Sequence, residues 1–385
     1  MKNAGNDSAV LISGYYGYDS RGDEGILAQI IQTLRDSKTE KPICVLSNAP
    51  EKTAETYGVQ SVNRMNPAAV LHRMSNASLL ISGGGSLLQD ATSKGSLYYY
   101  CAIIAAARRL GVPVWIYANG LGPLSGPGVR IAASLLNCAQ RVSLRDADSY
   151  RFAINCGVER EKLFLSADPV FMSEADYAGG KAMARSLGLV MGSYFAISVR
   201  RHALGRININ EIAASVISVK RRYGLTPVYV SMQDSEDSEL LCQLYLQCGG
   251  VIAPGMDLSV LEGFLSGARI SLGMRLHFLL CAAKAGSVPV ALSCDCKIDS
   301  VMGSLGVTDV LDAFNTDRDG IYRACLNALE ADENQKSVIR EMVEKSRRLA
   351  GRDSRYLSEA ARRGRAKVGQ FADGRKTAAE SQWNA

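Results

Sequence analysis

The sequence predicts an α/β protein made of two doubly wound, Rossmann-like domains that face each other across a cleft. Three observations predict it. Short apolar runs alternate with helical patterns from end to end, as in parallel βαβ units whose sheet is covered on both faces. The chain has 385 residues, too many for one ordinary hydrophobic core. The alternation breaks once, over residues 168–192, where Pro169, Gly179, Gly180, Gly188 and Gly192 mark a connection, and then resumes. The expected division is an N-terminal domain over 1–175, a C-terminal domain over 190–330, and C-terminal helices with a basic tail over 331–385.

Each element follows from its pattern. In the first half, apolar runs at 9–12, 43–46, 79–82, 114–117, 141–144 and 163–165 are short enough for buried strands. Helices over 24–34 and 97–110 show the helical apolar period, and His72 sits in another amphipathic stretch. In the second half, strands at 194–199, 228–230, 251–252, 269–272 and 288–292 alternate with helices at 211–223, 238–247, 258–266 and 278–285. Gly286 closes the last of these helices. From Tyr322 onward the pattern is helical and increasingly basic.

Composition excludes several classes. With 47% hydrophobic and 21% charged residues the chain reads as an average globular protein. The longest apolar run, 97–107, is shorter than the roughly 20 residues of a membrane helix. The polar start Met1-Lys2-Asn3 carries no signal-peptide pattern. Ten cysteines are scattered without a CxxC pair, so no metal site is expected. Cys44, Cys101, Cys138 and Cys281 fall in apolar runs, usage that points to the cytoplasm. The net charge of +6 is localised: residues 338–385 hold 12 Lys and Arg against 6 Asp and Glu, leaving 32 of each elsewhere. A neutral body argues against nucleic-acid binding. The tail residues Lys345, Arg347, Arg348, Arg352, Arg355, Arg362, Arg363, Arg365 and Lys367 fit either a solvated helical face or peripheral contact with anionic lipid at the inner face of a membrane.

Candidate site residues cluster where strands hand over to helices, the edge on which open α/β sheets bind ligands. Ser271-Leu272-Gly273-Met274-Arg275-Leu276-His277 puts a guanidinium and an imidazole at a helix start, which suits an anionic substrate. Ser143-Leu144-Arg145-Asp146 places a second Arg likewise; the alternative is an Arg–Asp surface pair. Lys297 follows the strand at 288–292, and Arg200, Arg201 and His202 follow the strand at 194–199, where a solvated loop is the equal alternative. The first loop, 13–25, is rich in glycine and tyrosine. Its spacing departs from G-x-G-x-x-G, and Asp23 with Glu24 stands where a pyrophosphate would want no carboxylate. It reads as a sugar loop or as a turn with Asp23 as helix N-cap. Gly83-Gly84-Gly85-Ser86 reads as a close backbone approach to a ligand or as a tight strand-to-helix turn. Asn119-Gly120-Leu121-Gly122-Pro123 reads as structural.

Taken in order, these segments resemble the polysaccharide pyruvyltransferase family, in particular its CsaB-like branch. They are Ser13-Gly14-Tyr15-Tyr16-Gly17 with Gly22-Asp23-Glu24, residues 82–90, Gly120-Leu121-Gly122-Pro123, Ser143-Leu144-Arg145-Asp146, Asp168-Pro169, Ile197-Ser198-Val199-Arg200, and 273–277 with Lys297. The resemblance implies a glycosyltransferase-B-like pair of domains. It implies transfer of the pyruvyl group of phosphoenolpyruvate to two sugar hydroxyls, giving a cyclic ketal and phosphate. It further implies a lipid-linked glycan acceptor, N-acetylmannosamine of a cell-wall polymer precursor in the CsaB-like branch, whose product anchors surface-layer proteins. By position, phosphoenolpyruvate-binding residues fall on Arg145, Arg275, Leu276, His277 and Lys297, with Arg275 and His277 as catalytic residues. No cofactor beyond the donor substrate is implied. His277 is read as an acid–base group or, equally, as a fixed donor to phosphate. The acceptor is expected at Tyr15, Tyr16, Asp19 and Gly84. The chain departs from the family at Tyr18-Asp19-Ser20-Arg21, where Phe-Gly-Asn and a less bulky residue are expected, and at Gly25. Two other readings stand beside this one. The first is a nucleotide-sugar glycosyltransferase using Glu262 or Asp257 at a ribose; the second is a non-catalytic sugar- or phosphate-binding module.

Overall fold

Runs of Val, Ile and Leu that are buried on both faces need strand neighbours on both edges and helices above and below. The computed structural model, which describes residues 8–90, 93–201 and 207–363, meets that need twice. The first half runs β1 (Val10–Ser13), α1 (Arg21–Asp36), β2 (Ile43–Ser47), α2 (Pro50–Tyr57), β3 (Gln60–Asn63), α3 (Pro67–Ser75), β4 (Leu79–Ser82), β5 (Gly85–Leu88), α4 (Lys94–Arg109), β6 (Val114–Leu121), α5 (Gly126–Leu136), β7 (Arg141–Leu144), α6 (Ala147–Asn155) and β8 (Leu163–Leu165). A 3₁₀ turn (Pro169–Met172) and α7 (Tyr177–Ser186) follow. The second half runs β9 (Tyr194–Ser198), α8 (Ile209–Tyr223), β10 (Thr226–Tyr229), α9 (Asp234–Cys248), β11 (Val251–Ile252), α10 (Leu258–Leu265), β12 (Ala268–Gly273), α11 (Leu276–Lys284), β13 (Val288–Ser293), α12 (Cys296–Ser304), β14 (Val310–Asp312), α13 (Arg318–Leu329) and α14 (Glu333–Arg363).

The described pairings are all parallel. The first sheet has the order β3-β2-β1-β4-β6-β7-β8, with β5 added beside β6, and the second has β11-β10-β9-β12-β13-β14. In each sheet the order reverses beside the first strand, between β1 and β4 and between β9 and β12, and that reversal opens a crevice at the strands' carboxyl ends. Among the described residues no helix is long and apolar enough to cross a membrane.

The apolar core does not divide where the sheets do. One cluster runs from Ile12, Ile30 and Trp115 of the first half through Val170 and Phe171 to Phe278 and Leu292 of the second. A separate cluster (Leu11, Cys44, Leu80, Ile116) covers the other face of the first sheet.

Four features differ from the sequence expectation. β3 carries the polar residues Gln60, Ser61 and Asn63 at a sheet edge, so it lacks an apolar run. The glycines at 83–85 lead into β5 rather than a helix, and Gly85 has a φ of 96°, open to glycine at no steric cost. The connection over 168–192 contains α7, which packs on α10 so closely that a Cβ on Gly263 would lie 2.1 Å from the Asp176 carbonyl oxygen. The C-terminal region returns to the first half as one long helix. Its apolar face (Ile339, Val343, Ala350, Leu357) is buried, Tyr117 Oη lies 2.7 Å from Ser354 Oγ, and Lys41 Nζ donates to the Ala361 carbonyl at 2.6 Å. The buried Asp353 faces Arg141 at 3.4 Å, and Arg141 also lies over the rings of Phe164 and Tyr356. Arg365 and Lys367 lie outside the described residues.

Gly263→Ala should cost about 1–3 kcal/mol, because its methyl group meets backbone rather than a movable side chain. Urea unfolding of the variant against the parent checks it.

Candidate active site

The strand ends deliver their charged residues in two adjoining groups. β7 ends at Leu144 and presents Arg145, which is buried. Room for it comes from Gly120 on the neighbouring β6, where a Cβ would stand 3.3 Å from Arg145 Nε. Arg145 Nη1 donates to Asp168 Oδ2 at 2.8 Å, and Nη2 donates to Ser86 Oγ at 3.1 Å. Asp168 Oδ1 accepts the Val170 amide at 3.1 Å, which fixes the carboxylate at the head of the 3₁₀ turn. His277 Nε2, from the first turn of α11, stands 3.4 Å from the same Asp168 Oδ2. Burial alone would raise the Asp168 carboxyl; His277 and Arg145 outweigh it and hold the group well below the usual carboxylate range.

The imidazole fits because α1 carries Gly22 opposite it: a Cβ there would lie 2.1 Å from His277 Nδ1. Helix α1 is in turn tied across the cleft. The Arg21 amide donates to the Met232 carbonyl at 2.9 Å, and the Arg21 guanidinium pairs with Asp234 at 3.1 Å. On the other side Ser300 Oγ donates to Asp146 Oδ1 at 3.4 Å.

The second group lies at the ends of β9, β12 and β13. Arg275 occupies the N-cap position of α11 but makes no side-chain capping bond, so the amides of that first turn stay uncapped by it. Its Nε donates to Asp237 Oδ1 at 3.1 Å and its Nη2 to Glu236 Oε2 at 3.0 Å. Asp237 is fully buried and oriented by the Met232 and Gln233 amides, which it accepts at 2.8 and 3.0 Å. Arg200 Nη2 reaches the same Glu236 Oε2 at 3.1 Å. Lys297 Nζ lies 2.9 Å from Asp295 Oδ2. Burial, and then the nearby Arg275, lower the Arg200 guanidinium. Burial raises the neighbouring Cys294 thiol, with Arg200 and Lys297 opposing it. Arg200, Arg275 and Lys297 therefore share one neighbourhood. Their counterions differ in exposure: the Asp237 side chain is fully buried, whereas that of Glu236 is 38% exposed. An incoming anion would compete first for the guanidinia held by Glu236.

The structure thus brings Arg145 and His277 onto Asp168, and Arg275, Arg200 and Lys297 together. The first turn of α11, with Leu276 buried between Arg275 and His277, joins the two groups. The surface-pair alternative for Arg145 is excluded, since Asp146 instead caps α6 through the Ser149 amide at 2.7 Å. The acceptor candidates scatter. Tyr15 is half-buried, stacked on Tyr18 at 4.3 Å, and faces Gln233 and Glu236 of the second half. Tyr16 is fully buried in the core, where it packs beneath Gly14 and Gly83 and presents no surface to a ligand. Its full burial leaves the expected acceptor contact without an exposed ring, and its hydroxyl is buried without a hydrogen-bond partner among the described residues. Asp19 is exposed and pairs with Lys52 at 2.6 Å. Gly84 is buried against Ile26.

Asp23 is not the N-cap of α1. Ser20 holds that position and donates through Oγ to the Asp23 carboxylate. Glu24 accepts the Gly17 amide at 2.8 Å and the Tyr57 hydroxyl at 2.7 Å, bracing the first loop. His202 lies outside the described residues. The sequence reading missed the pairing roles of Asp168, Glu236, Asp237 and Ser86; in sequence these are ordinary polar residues far from their partners. Among the described residues no group of three His, Cys, Asp or Glu is placed to hold a metal.

A family model described as polysaccharide pyruvyl transferase matches residues 21–295. No curated relative matches the sequence significantly. Solved structures share the fold at low identity. The UDP-GlcNAc 2-epimerase of Neisseria meningitidis bound to UDP-GlcNAc is 14% identical with a TM-score of 0.63, over 91% of this chain and 98% of that one. MnaA of S. aureus with UDP is 11% identical with a TM-score of 0.61, over 91% and 94%. HepE of Anabaena with UDP and glucose is 15% identical with a TM-score of 0.58, over 91% and 97%. The architecture is therefore glycosyltransferase-B-like, with a helical C-terminal region.

A depressed carboxyl contributes stability that is present above its unfolded value of about 4 and is lost as pH falls toward the folded value. The stability gap between the parent protein and Asp168→Asn should accordingly be widest above about pH 5 and narrow as pH drops below about 4. Urea unfolding across that series measures the gap; a gap that does not change with pH would contradict the assignment.

Proposed function

The chain belongs to the polysaccharide pyruvyl transferase family, and from that premise we propose that it moves the pyruvyl group of phosphoenolpyruvate onto two hydroxyls of one sugar. The products are a cyclic ketal and phosphate. The observation that carries the reading is the meeting of Arg145, from the first domain, with His277, from the second, on one buried carboxylate beside Arg200, Arg275 and Lys297.

Phosphoenolpyruvate carries a carboxylate and a phosphate with a charge near −3. Guanidinium forks suit both groups, and a lysine suits phosphate as a point charge. Arg275 and Arg200 would exchange Glu236 for the donor, and the uncapped amides at Leu276 and His277 add to the positive field. Protonation of the methylene carbon makes the adjacent carbon electrophilic. One sugar hydroxyl adds there, the C–O bond to phosphate breaks, and the second hydroxyl closes the ring. Of the two protons leaving the hydroxyls, one balances that taken by the methylene carbon and the other leaves with phosphate. In this reading His277 transfers the proton or donates to the phosphate, and Asp168 orients its ring and balances its charge. The cations offset charge building on the departing phosphate.

The acceptor in this reading is a lipid-linked cell-wall glycan precursor carrying N-acetylmannosamine, worked on at the cytoplasmic face, whose product serves surface-layer anchoring. It would enter over Tyr15 and the carboxylate of Asp23, both half-buried.

The nucleotide-sugar alternative loses one of its two candidate ribose carboxylates, Glu262, and keeps the exposed Asp257. Glu262 is buried and paired with the fully buried Lys284 at 2.6 Å, and Lys284 also donates to the Val170 and Ser173 carbonyls. A Glu262 so held is not open to a ribose.

Arg275→Ala and His277→Ala should each lower acceptor-dependent phosphate release from phosphoenolpyruvate by about 10²–10³-fold, with the far-ultraviolet circular dichroism unchanged. Full activity in either variant would overturn the assignment. Turnover of a nucleotide sugar without phosphoenolpyruvate would favour the glycosyltransferase reading. Donor binding with no turnover across a panel of sugar glycosides would favour a binding module.

A further inference from the structure

Helix α14 carries a charged stripe that the cleft does not use. Lys345, Arg348, Arg352 and Arg355 stand at i, i+3, i+7 and i+10, which puts them on one side of a helix. That side is opposite the buried positions Ile339, Val343, Ala350 and Leu357. Over residues 345–355 the one acidic residue is Asp353, which is buried against Arg141. Between Arg348 and Arg355, about 10 Å of helix, no acidic residue faces outward, and Glu344 pairs with Arg347 at the edge of the stretch. With Arg347, the four residues line a shallow depression of about 660 Å³ that also contains Met172 and Leu349.

Some of these cations are anchored and some face outward. Arg347 Nε donates to the Phe171 carbonyl at 3.2 Å and its Nη1 meets Glu344 at 3.1 Å; Arg352 Nη2 reaches the Leu165 carbonyl at 3.4 Å. Arg348 and Arg355 are exposed, and among the described residues no carboxylate pairs with either. The stripe lies beyond the 21–295 span of the family match, so it belongs to this chain's own C-terminal helix.

We propose that the outward face of α14 over residues 345–355 is a docking surface for the anionic phospholipid headgroups of a membrane. Three features favour a bilayer over other anions. The cations are strung along the helix rather than converging on one point, as a single phosphate would require. Met172 and Leu349 lie among them, giving the headgroup–acyl boundary an apolar contact. No aromatic residue lines the depression, whereas single-stranded nucleic acid is held on stacking platforms. Each cation near an anionic surface adds attraction that salt screens. Docking through α14 is independent of pyruvyl transfer, and the two fail separately, since one is read by sedimentation and the other by phosphate release.

The test uses the full chain with vesicles of phosphatidylcholine alone or with added phosphatidylglycerol. The parent should co-sediment with the anionic vesicles, not with the neutral ones, and high salt should release it. Arg348→Gln with Arg355→Gln should lower the partition coefficient about 30-fold, with phosphate release from phosphoenolpyruvate and a soluble acceptor unchanged. Arg365→Gln with Lys367→Gln, outside the described residues, should leave most of the binding in place. The proposal is overturned if the 348/355 variant partitions like the parent, or if the 365/367 variant loses binding instead. It is also overturned if inorganic diphosphate at matched ionic strength frees the parent from vesicles, which would mark a site for a free phosphate ester, or if the parent binds RNA oligomers and not vesicles.

Discussion

The Asp168 carboxylate is the contact on which the arrangement of the site depends. It stands just after the last strand of the first sheet and heads the turn that leads to the second domain. Arg145 reaches it from the first sheet and His277 from the second domain, so one buried anion sets the position of two cation-type groups that arise 132 residues apart. Two charged groups out of water are costly unless paired and hydrogen-bonded. Arg145 on Asp168, the Val170 amide and Ser86 meet that condition. His277 Nε2, at 3.4 Å, is an ion-pair neighbour rather than a close hydrogen-bond partner of the same carboxylate.

The second group is built differently. Asp237 is immobile and fixes Arg275, while Glu236 is shared by Arg275 and Arg200 and partly open to water. The guanidinia of this group are held in place by these carboxylates, of which Glu236 is the more exposed. Positive charge acts most strongly where water is excluded, a condition that Arg145 meets and that the half-buried Arg200 and Arg275 meet in part.

The strand-to-helix handovers were legible in the sequence because each is a local pattern: an apolar run, a glycine or small residue, then a charged residue before a helix. Arg145, Arg275, His277 and Lys297 were found that way, and so was the strand–helix alternation of both halves. Asp168 was visible only as part of a motif, because its meaning comes from residues 23 positions before it and 109 after it. Glu236 and Asp237 sit in an acidic first helical turn, which on its own suggests only a favourable dipole. Tyr16 looked like its neighbour Tyr15, and only packing separates the buried ring from the half-buried one. The edge strand β3 and the short β5 lack the apolar signature that marks the central strands.

The return of α14 to the first domain bears on how the chain folds as it is made. Asp353, Ser354 and Ala361 close over Arg141, Tyr117 and Lys41, partners synthesised more than two hundred residues earlier. A chain growing from the ribosome therefore emerges with that flank of its first lobe bare, and synthesis at about 5–20 residues per second leaves it so for ten seconds or longer. During that interval the nascent protein is most exposed to wrong partners, until α14 arrives to cover the flank.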